Sequence, residues 1–381
     1  MKICHILPNY YPYRPLQIFY TRALAQLGQE VDVLALRRGD EPFQEYSHGV
    51  RIQRFHKEKK GLFLLRTAPH FIKEVQSVLA RNEYDLVHIY SFRGCSILPR
   101  INRRRNIRWI LDIRTGNIAA SRLRANLANW ITKIESRAFQ EIVINPLIAE
   151  KVLSTNTPYT VVPIGADFNK FRPFRNPEFR QSLGIRKDDL TVIFSSSLEP
   201  QRYPEVVLEA LRLALLKAPQ LKLLIVGDGT SRNTLENLAK EKNIEDRVIF
   251  TGFVPFDEMP NYVAAADIGL GYVPITSQYD LQPPLKTVEY LASGLPVVAT
   301  KTKGNMLFVL HEANGLLSED DHNAIADQIV CLATKPALRE ELASRARSSV
   351  EHYDWNRIVE DMLLPVYQRA LEGTLPGKNK S

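Results

Sequence analysis

The sequence predicts an α/β protein built from two doubly wound parallel sheets, and three observations carry that expectation. Short β-branched or aliphatic runs alternate with stretches long enough for a helix, which is the rhythm of parallel βαβ units. The series stops once and restarts after a segment rich in Pro and basic residues, which marks two sheets. The chain has 381 residues with 45% hydrophobic content, enough for a sizeable core in each of two domains.

In the first half the strands read KICHIL, VDVLAL, YDLVHIY, NIRWILDI and EIVIN, separated by helix-length or loop-length stretches. The segment PIGADFNKFRPFRNP follows, with three prolines, three basic residues and little apolar periodicity, so the boundary falls near residues 165–177. The second series reads TVIFSSS, LKLLIVGDG, RVIFTG, IGLGYVP and LPVVAT. This sets a first domain at 1–168 and a second at 178–353. The stretch from Asp320 to Leu371 reads as mostly helical. Its last helix, 356–373, is expected to pack back on the first domain, with a kink at Pro365. The polar tail after Leu375 is expected to be disordered.

Composition narrows the function classes. Cys4, Cys95 and Cys331 are odd in number and far apart, which suits neither a disulfide framework nor a structural metal site, and a reducing cytosol fits best. The start MKICHILPNY lacks the apolar run of a signal peptide, and no window reaches the roughly 18 apolar residues of a membrane span. A cytoplasmic protein is therefore expected, at most peripheral on the inner face of the membrane.

The net charge of +8 is uneven, with 26 Lys/Arg against 14 Asp/Glu in residues 1–170 and 24 against 28 in the rest. Nine arginines and one acid, Asp112, lie between Arg93 and Arg124. Such a cluster suits an anionic surface or acceptor, or a plain solvated face. Nucleic acid is set aside, because no zinc pattern, aromatic ribonucleoprotein motif or basic heptad accompanies the charge. SRLRANLANWITKIESRAF puts Leu123, Leu127, Trp130, Ile131 and Ile134 on one face, which could lie on an anionic membrane or pack on the first sheet.

The most informative stretch is PPLKTVEYLASGLPVVAT, residues 283–300. Pro283 and Pro284 suit a helix start, and Gly294 with Pro296 suits the stop. Leu285, Val288, Leu291 and Ala292 fall at helical spacing toward a core, which leaves Lys286 and Glu289 together on an exposed face. The helix N-terminus and Lys286 would favour an anion, and Glu289 could accept hydrogen bonds from hydroxyls. A surface helix with one Lys–Glu pair is the bland alternative.

Other turns follow strands in the same way. Ser196 and Ser197 begin a polar turn that carries Arg202, whose guanidinium can bind two phosphate oxygens at once. Gly227 and Gly229 could admit a phosphate or simply shape a turn. Backbone groups from Gly252 to Val254 could bond a base edge. In open α/β sheets such turns converge at the carboxyl ends of the strands, here in an expected cleft between the domains.

Together VVPIGADFNKFRP, SSSLEPQR, LLIVGDG, FTGFVPFDEMPNYVAAADIGL and PPLKTVEYLASGLPVVAT resemble retaining glycosyltransferase family 4 in order and spacing, over residues 158–372. The resemblance implies the GT-B fold, with two Rossmann-like domains facing across a cleft. It also implies transfer of a sugar from a nucleotide-sugar donor held by the C-terminal domain, with anomeric configuration kept, and neither metal nor cofactor. Arg202 falls where the family usually has a lysine on the donor diphosphate, and Glu289 on the second of its paired glutamates. Leu281, beside Asp280, replaces the first glutamate, and Ser197 replaces an arginine. These departures resemble a branch with Pro-Leu-Lys before Glu-Tyr, in which Lys286 strengthens the diphosphate site.

Where the family often has a histidine after a later strand, LDIRTG offers Asp112 and Arg114, either to orient a sugar hydroxyl or to form a structural pair. The glycine pair after the first strand is missing from PNYYPYRPLQ. His88, inside an apolar strand, reads as a core histidine. The expected acceptor is a glycan or lipid-linked glycan of surface-polysaccharide assembly. Two rivals share the fold: a nucleotide-sugar epimerase, and a non-catalytic binding partner.

Overall fold

The protein is described by a computed structural model covering residues 1–12, 15–56, 68–114, 122–145 and 147–373. The tail after Leu375 and the turn Thr115–Gly116 lie outside the described residues. The chain forms two compact units, Met1–Ile164 with the segment from Trp355, and Gly165–Asp354. The segment 165–177 belongs to the second unit.

In the first unit, the elements in chain order are β1 (Lys2–Tyr10), α1 (Pro15–Gln26), β2 (Glu30–Leu36), β3 (Gln44–Ser47), β4 (Val50–Phe55), α2 (Ala68–Arg81) and β5 (Leu86–Tyr90). They continue with α3 (Ile97–Ile101), β6 (Arg108–Ile113), α4 (Arg122–Ser136), β7 (Glu141–Ile144), α5 (Ala149–Val152) and β8 (Thr160–Val161). The sheet runs β3-β4-β2-β1-β5-β6-β7-β8, parallel except for the antiparallel pair β3–β4. The inner strands β5 and β7 are buried along their whole length, as strands covered on both faces must be.

The second unit holds α6 (Pro177–Ser182), β9 (Leu190–Ser195), α7 (Glu205–Leu215), β10 (Leu221–Val226), α8 (Arg232–Glu241), β11 (Val248–Phe250) and α9 (Met259–Ala264). These are followed by β12 (Ile268–Gly271), α10 (Leu285–Ala292), β13 (Val297–Thr300), β14 (Gly315–Ser318), α11 (His322–Thr334) and α12 (Pro336–Ala346). Its sheet is fully parallel, in the order β11-β10-β9-β12-β13-β14.

The chain then returns to the first unit with α13 (Trp355–Arg357), a π-helical segment Ile358–Leu363, and α14 (Leu364–Glu372). Trp355 stacks on Phe19 at 5.1 Å, and the Tyr367 hydroxyl meets His88 Nδ1 at 2.7 Å. The break expected at Pro365 takes the form of the π-helical segment just before it, a widened helix that absorbs the missing amide and the bulk of the ring.

Candidate functional site

The site in the second unit is assembled at the carboxyl ends of β9 and β12. Val192, Ile193 and Phe194 bury β9 in the core, which fixes where the polar turn Ser195–Ser197 emerges. Ser196 N donates to Val226 O, and Leu198 N to Asp228 O, so this turn is zipped to the turn after β10. A Cβ on Gly227 would sit 1.9 Å from Ser196 O, and one on Gly229 2.4 Å from Leu198 O. Both positions therefore need glycine for this close backbone approach. A single 3-10 turn, Pro200–Arg202, then presents Arg202, whose guanidinium lies over the Tyr279 ring at 5.1 Å.

Helix α10 supplies the opposite wall. Pro283 and Pro284 cannot donate amides and precede its first turn. It ends at Gly294 with φ +77°, where Leu295 N bonds back to Tyr290 O. The helix lies unusually close to β12, because a Cβ at Gly269 would fall 2.5 Å from the Tyr290 ring and one at Gly271 2.8 Å from Thr287 Oγ1. Tyr290 hydroxyl accepts from Ser195 N at 2.8 Å, and Thr287 Oγ1 donates to Asn305 Oδ1 at 2.8 Å. These bonds tie the helix to the Ser turn through Tyr290 and to Asn305 through Thr287.

Between the two walls is a cavity of about 260 Å³ lined by Ser195–Ser197, Arg202, Val273, Tyr279 and the segment Gln282–Lys286. Among the described residues no carboxylate lines it. Lys286 Nζ donates to Tyr272 O at 2.7 Å and sits 4.1 Å from the centre of the Phe194 ring. Burial, and then the Arg202 charge, push its amine well below the ordinary lysine range. The cavity thus sets two cationic groups around one hollow with no counter-charge in its wall.

Comparison with known proteins gives this geometry a family. Residues 175–349 match the model of glycosyl transferases group 1, and residues 20–165 match that of a glycosyl transferase 4-like domain. Those matches indicate a group 1 glycosyltransferase of GT-B fold. An uncharacterized glycosyltransferase of Methanocaldococcus jannaschii is 26% identical, with 92% of each chain covered. Sucrose-phosphate synthase from Thermosynechococcus elongatus shares the fold with a TM-score of 0.82 at 21% identity, over 98% of this chain and 100% of that one. The Anabaena protein HepE, solved in complex with UDP-glucose, does so with 0.73 at 18%, over 98% and 99%.

The glycosyltransferase departs from sequence expectation at Glu289. The helical spacing puts this side chain on an exposed face beside Lys286, but it is only 4% exposed and, among the described residues, its Oε1 has no hydrogen-bond partner. Burial alone raises its carboxyl to about 8. The physical reason is that α10 is covered on more than one side, by β12 and β13 and by the turn Ser348–Tyr353, so a one-faced helical pattern does not apply.

Of the other expected donor contacts, Ser196, Ser197, Arg202 and Lys286 meet at the cavity, whereas Val254 and Asp280 are outside its lining. Asp280 Oδ1 instead accepts from Lys303 N at 2.9 Å and so holds a neighbouring loop. Tyr279, the ring beneath Arg202, was not anticipated, since no periodicity or motif marks it.

Asp112 and Arg114 belong to the first unit of the glycosyltransferase and have a different environment. Asp112 is 1% exposed and pairs with His88 Nε2 at 3.0 Å and with Arg114 Nε at 2.5 Å. Arg114 also donates to Val162 O and to the Tyr20 hydroxyl. Burial works to raise the Asp112 carboxyl, but the Arg114 guanidinium and His88 outweigh it and hold the group below the usual range. Asp112 and Arg114 thus form a buried ion pair. His88 is a satisfied core histidine, stacked at 4.7 Å on His5, whose two ring nitrogens are buried without partners. Among the described residues no group of three His, Cys, Asp or Glu side chains could hold a metal ion, and no helix is long and apolar enough to cross a membrane.

Proposed function

We propose that this glycosyltransferase moves a sugar from a nucleotide-diphosphate sugar to an acceptor hydroxyl with retention of anomeric configuration, without metal or cofactor. The observation that carries the reading is the hollow in which Arg202 and Lys286 face each other with no acid in the wall. Cleaving the donor leaves charge on its β-phosphate, so catalysis needs fixed positive groups that interact more strongly as that charge develops. Lys286 is poised for this role, since a diphosphate would favour the charged form that burial and Arg202 disfavour. The departing phosphate takes the proton of the attacking hydroxyl, so no carboxylate nucleophile is required. Glu289, buried with an unpartnered oxygen, is the acceptor group for ribose hydroxyls.

HepE was solved with UDP-glucose, and a uridine donor is therefore the first to test. The proposed acceptor is a glycan or lipid-linked glycan in surface-polysaccharide assembly, at the inner face of the cytoplasmic membrane. A thermal-shift screen of nucleotide sugars tests the reading, because a ligand at a hundred times its Kd raises stability by about 2.7 kcal/mol. One nucleotide sugar should stabilise the protein well beyond the rest, and nucleoside diphosphate should be released when acceptor is added. Binding without release in the presence of a matched acceptor would leave a non-catalytic partner, and no stabilisation by any donor would reject the site.

A further inference from the structure

A second charged hollow lies in the first unit, at the other end of its sheet. It measures about 400 Å³ and is lined by Arg100, Arg103, Arg105 and Arg137 over an apolar floor of Pro99, Ile107 and Trp109. Ile107 immediately precedes β6, Trp109 is its second residue, and Gln140 immediately precedes β7, so the hollow is at the amino ends of these strands. Ligands of open α/β sheets bind at the carboxyl ends. This place is therefore not a subsite of the sugar-transfer reaction.

Helix α4 connects the hollow to a row of exposed apolar side chains. Leu123, Leu127 and Trp130 are 82%, 57% and 58% exposed, and Ile134 is half-buried. Spacings of four, three and four residues run through 123, 127, 130 and 134, which places all four on one face of α4. The row runs about 17 Å from Leu123 to Ile134 at 1.5 Å per residue, and Arg137, just past the end of the helix, lines the hollow. Ile97 and Ile101 are exposed on α3, the helix that lends Pro99 and Arg100 to the hollow. Glu135 Oε1 accepts from Gly94 N and so ties α4 to the turn before α3.

The charge around this row has one sign. The acids between Arg93 and Gln140 are Asp112 and Glu135. Asp112 is buried in its ion pair, and Glu135 is engaged by the Gly94 amide and turned to another side of α4. Arg93, Arg100, Arg103, Arg104, Arg124 and Arg137 are exposed.

We propose that α3 and α4 form a docking surface for an anionic phospholipid bilayer, with the arginine hollow receiving a headgroup phosphate. A helix with Leu and Trp outward and arginines along its flanks can settle its apolar row below the headgroups while the guanidinium groups reach the phosphates. Charge complementarity selects this partner, since among the described residues from 93 to 140 the exposed charged side chains are all arginines. The apolar row is one side chain wide, well short of the 20–30 residues a side of a stable protein interface. The surface lies beyond the transfer reaction, although it would deliver the enzyme to a lipid-linked acceptor. Donor binding and vesicle binding can therefore fail independently.

Co-sedimentation of the full chain with phosphatidylcholine vesicles, with and without phosphatidylglycerol, tests the proposal. The protein should pellet with the anionic vesicles only, and release as salt is raised. L127Q/W130Q should weaken the partition by about tenfold or more, and R100Q/R103Q/R137Q on the order of a hundredfold with a weaker salt dependence. All these side chains are exposed, so both variants should keep the wild-type melting temperature and donor response. Equal behaviour toward neutral and anionic vesicles would overturn the proposal. So would a dimer that dissociates in L127Q/W130Q without any vesicle binding, which would make a second copy the occupant. Tight, salt-sensitive binding to single- or double-stranded DNA with no vesicle binding would likewise overturn it in favour of nucleic acid.

Discussion

The arginine of the first unit and the cations of the second are both largely withdrawn from water, and their surroundings differ in one respect. Arg114 has Asp112 at 2.5 Å and further acceptors in Val162 O and the Tyr20 hydroxyl. Lys286 has one carbonyl and the face of a phenyl ring, with Arg202 as its charged neighbour. Charge that the protein itself satisfies is architecture. Cations gathered around a hollow with no counter-charge are incomplete until an anion arrives. Sequence alone ranked these groups together as candidates for catalysis, because it shows which charges exist but not which ones have been answered.

The largest effect should come from breaking the satisfied cluster. Asp112→Ala leaves Arg114 buried beside His88 without its carboxylate, and such a loss costs about 3–5 kcal/mol. Urea unfolding should show that loss. D112L/R114M, which removes both charges at similar volume, should recover most of it. A single variant as stable as wild type would remove the contrast, because Asp112 would then be as dispensable to the fold as an active-site group.

The unsatisfied cluster should respond in the opposite way. Lys286→Ala or Arg202→Ala should leave unfolding midpoints close to wild type while lowering turnover on the order of a hundredfold, the effect of losing one preorganised charge-stabilising group, about 3 kcal/mol. Steady-state release of nucleoside diphosphate measures it. Wild-type turnover in both variants would sink the assignment. A comparable loss of stability would show that these cations are architectural as well.

How far the sequence reveals each site follows from the same distinction. Parallel strands such as β5 and β9 are legible because burial on both faces demands continuous apolar runs. The antiparallel β3, with its exposed Gln44, and the two-residue β8 carry no such demand and were not anticipated. Arg202 and Lys286 were legible because each follows a strand at a turn, and the parallel sheet brings such turns to one edge. The burial of Glu289 was not. The helical pattern of α10 marks one apolar face, and it cannot show that the turn Ser348–Tyr353, some sixty residues later, closes over another. The row on α4 was legible as a helix face, but whether it met the sheet or water depended on tertiary packing.

Glu289 provides the finest test of the contrast, since it is a buried acid without the partners Asp112 has. Its carboxyl titrates near 8 when folded against about 4.3 when unfolded. Between those values the folded state holds the proton more tightly than the unfolded one. This residue's contribution to stability is therefore fully present below the unfolded value and is lost as pH rises through the folded one, at about 1.4 kcal/mol per pH unit. Glu289→Gln cannot ionise. Measured by urea unfolding from pH 5 to 8, it should gain on wild type at about that rate and level off above pH 8. The opposite slope expected from Lys286, whose lowered pKa makes stability rise with pH, is common to both proteins and cancels in the difference. Parallel profiles would mean that Glu289 is not buried as an isolated acid. Saturating nucleotide sharpens the outcome: if ribose hydroxyls bond the Glu289 carboxylate, they must favour its charged form and shrink the gap, whereas an unchanged gap would confine Glu289 to packing.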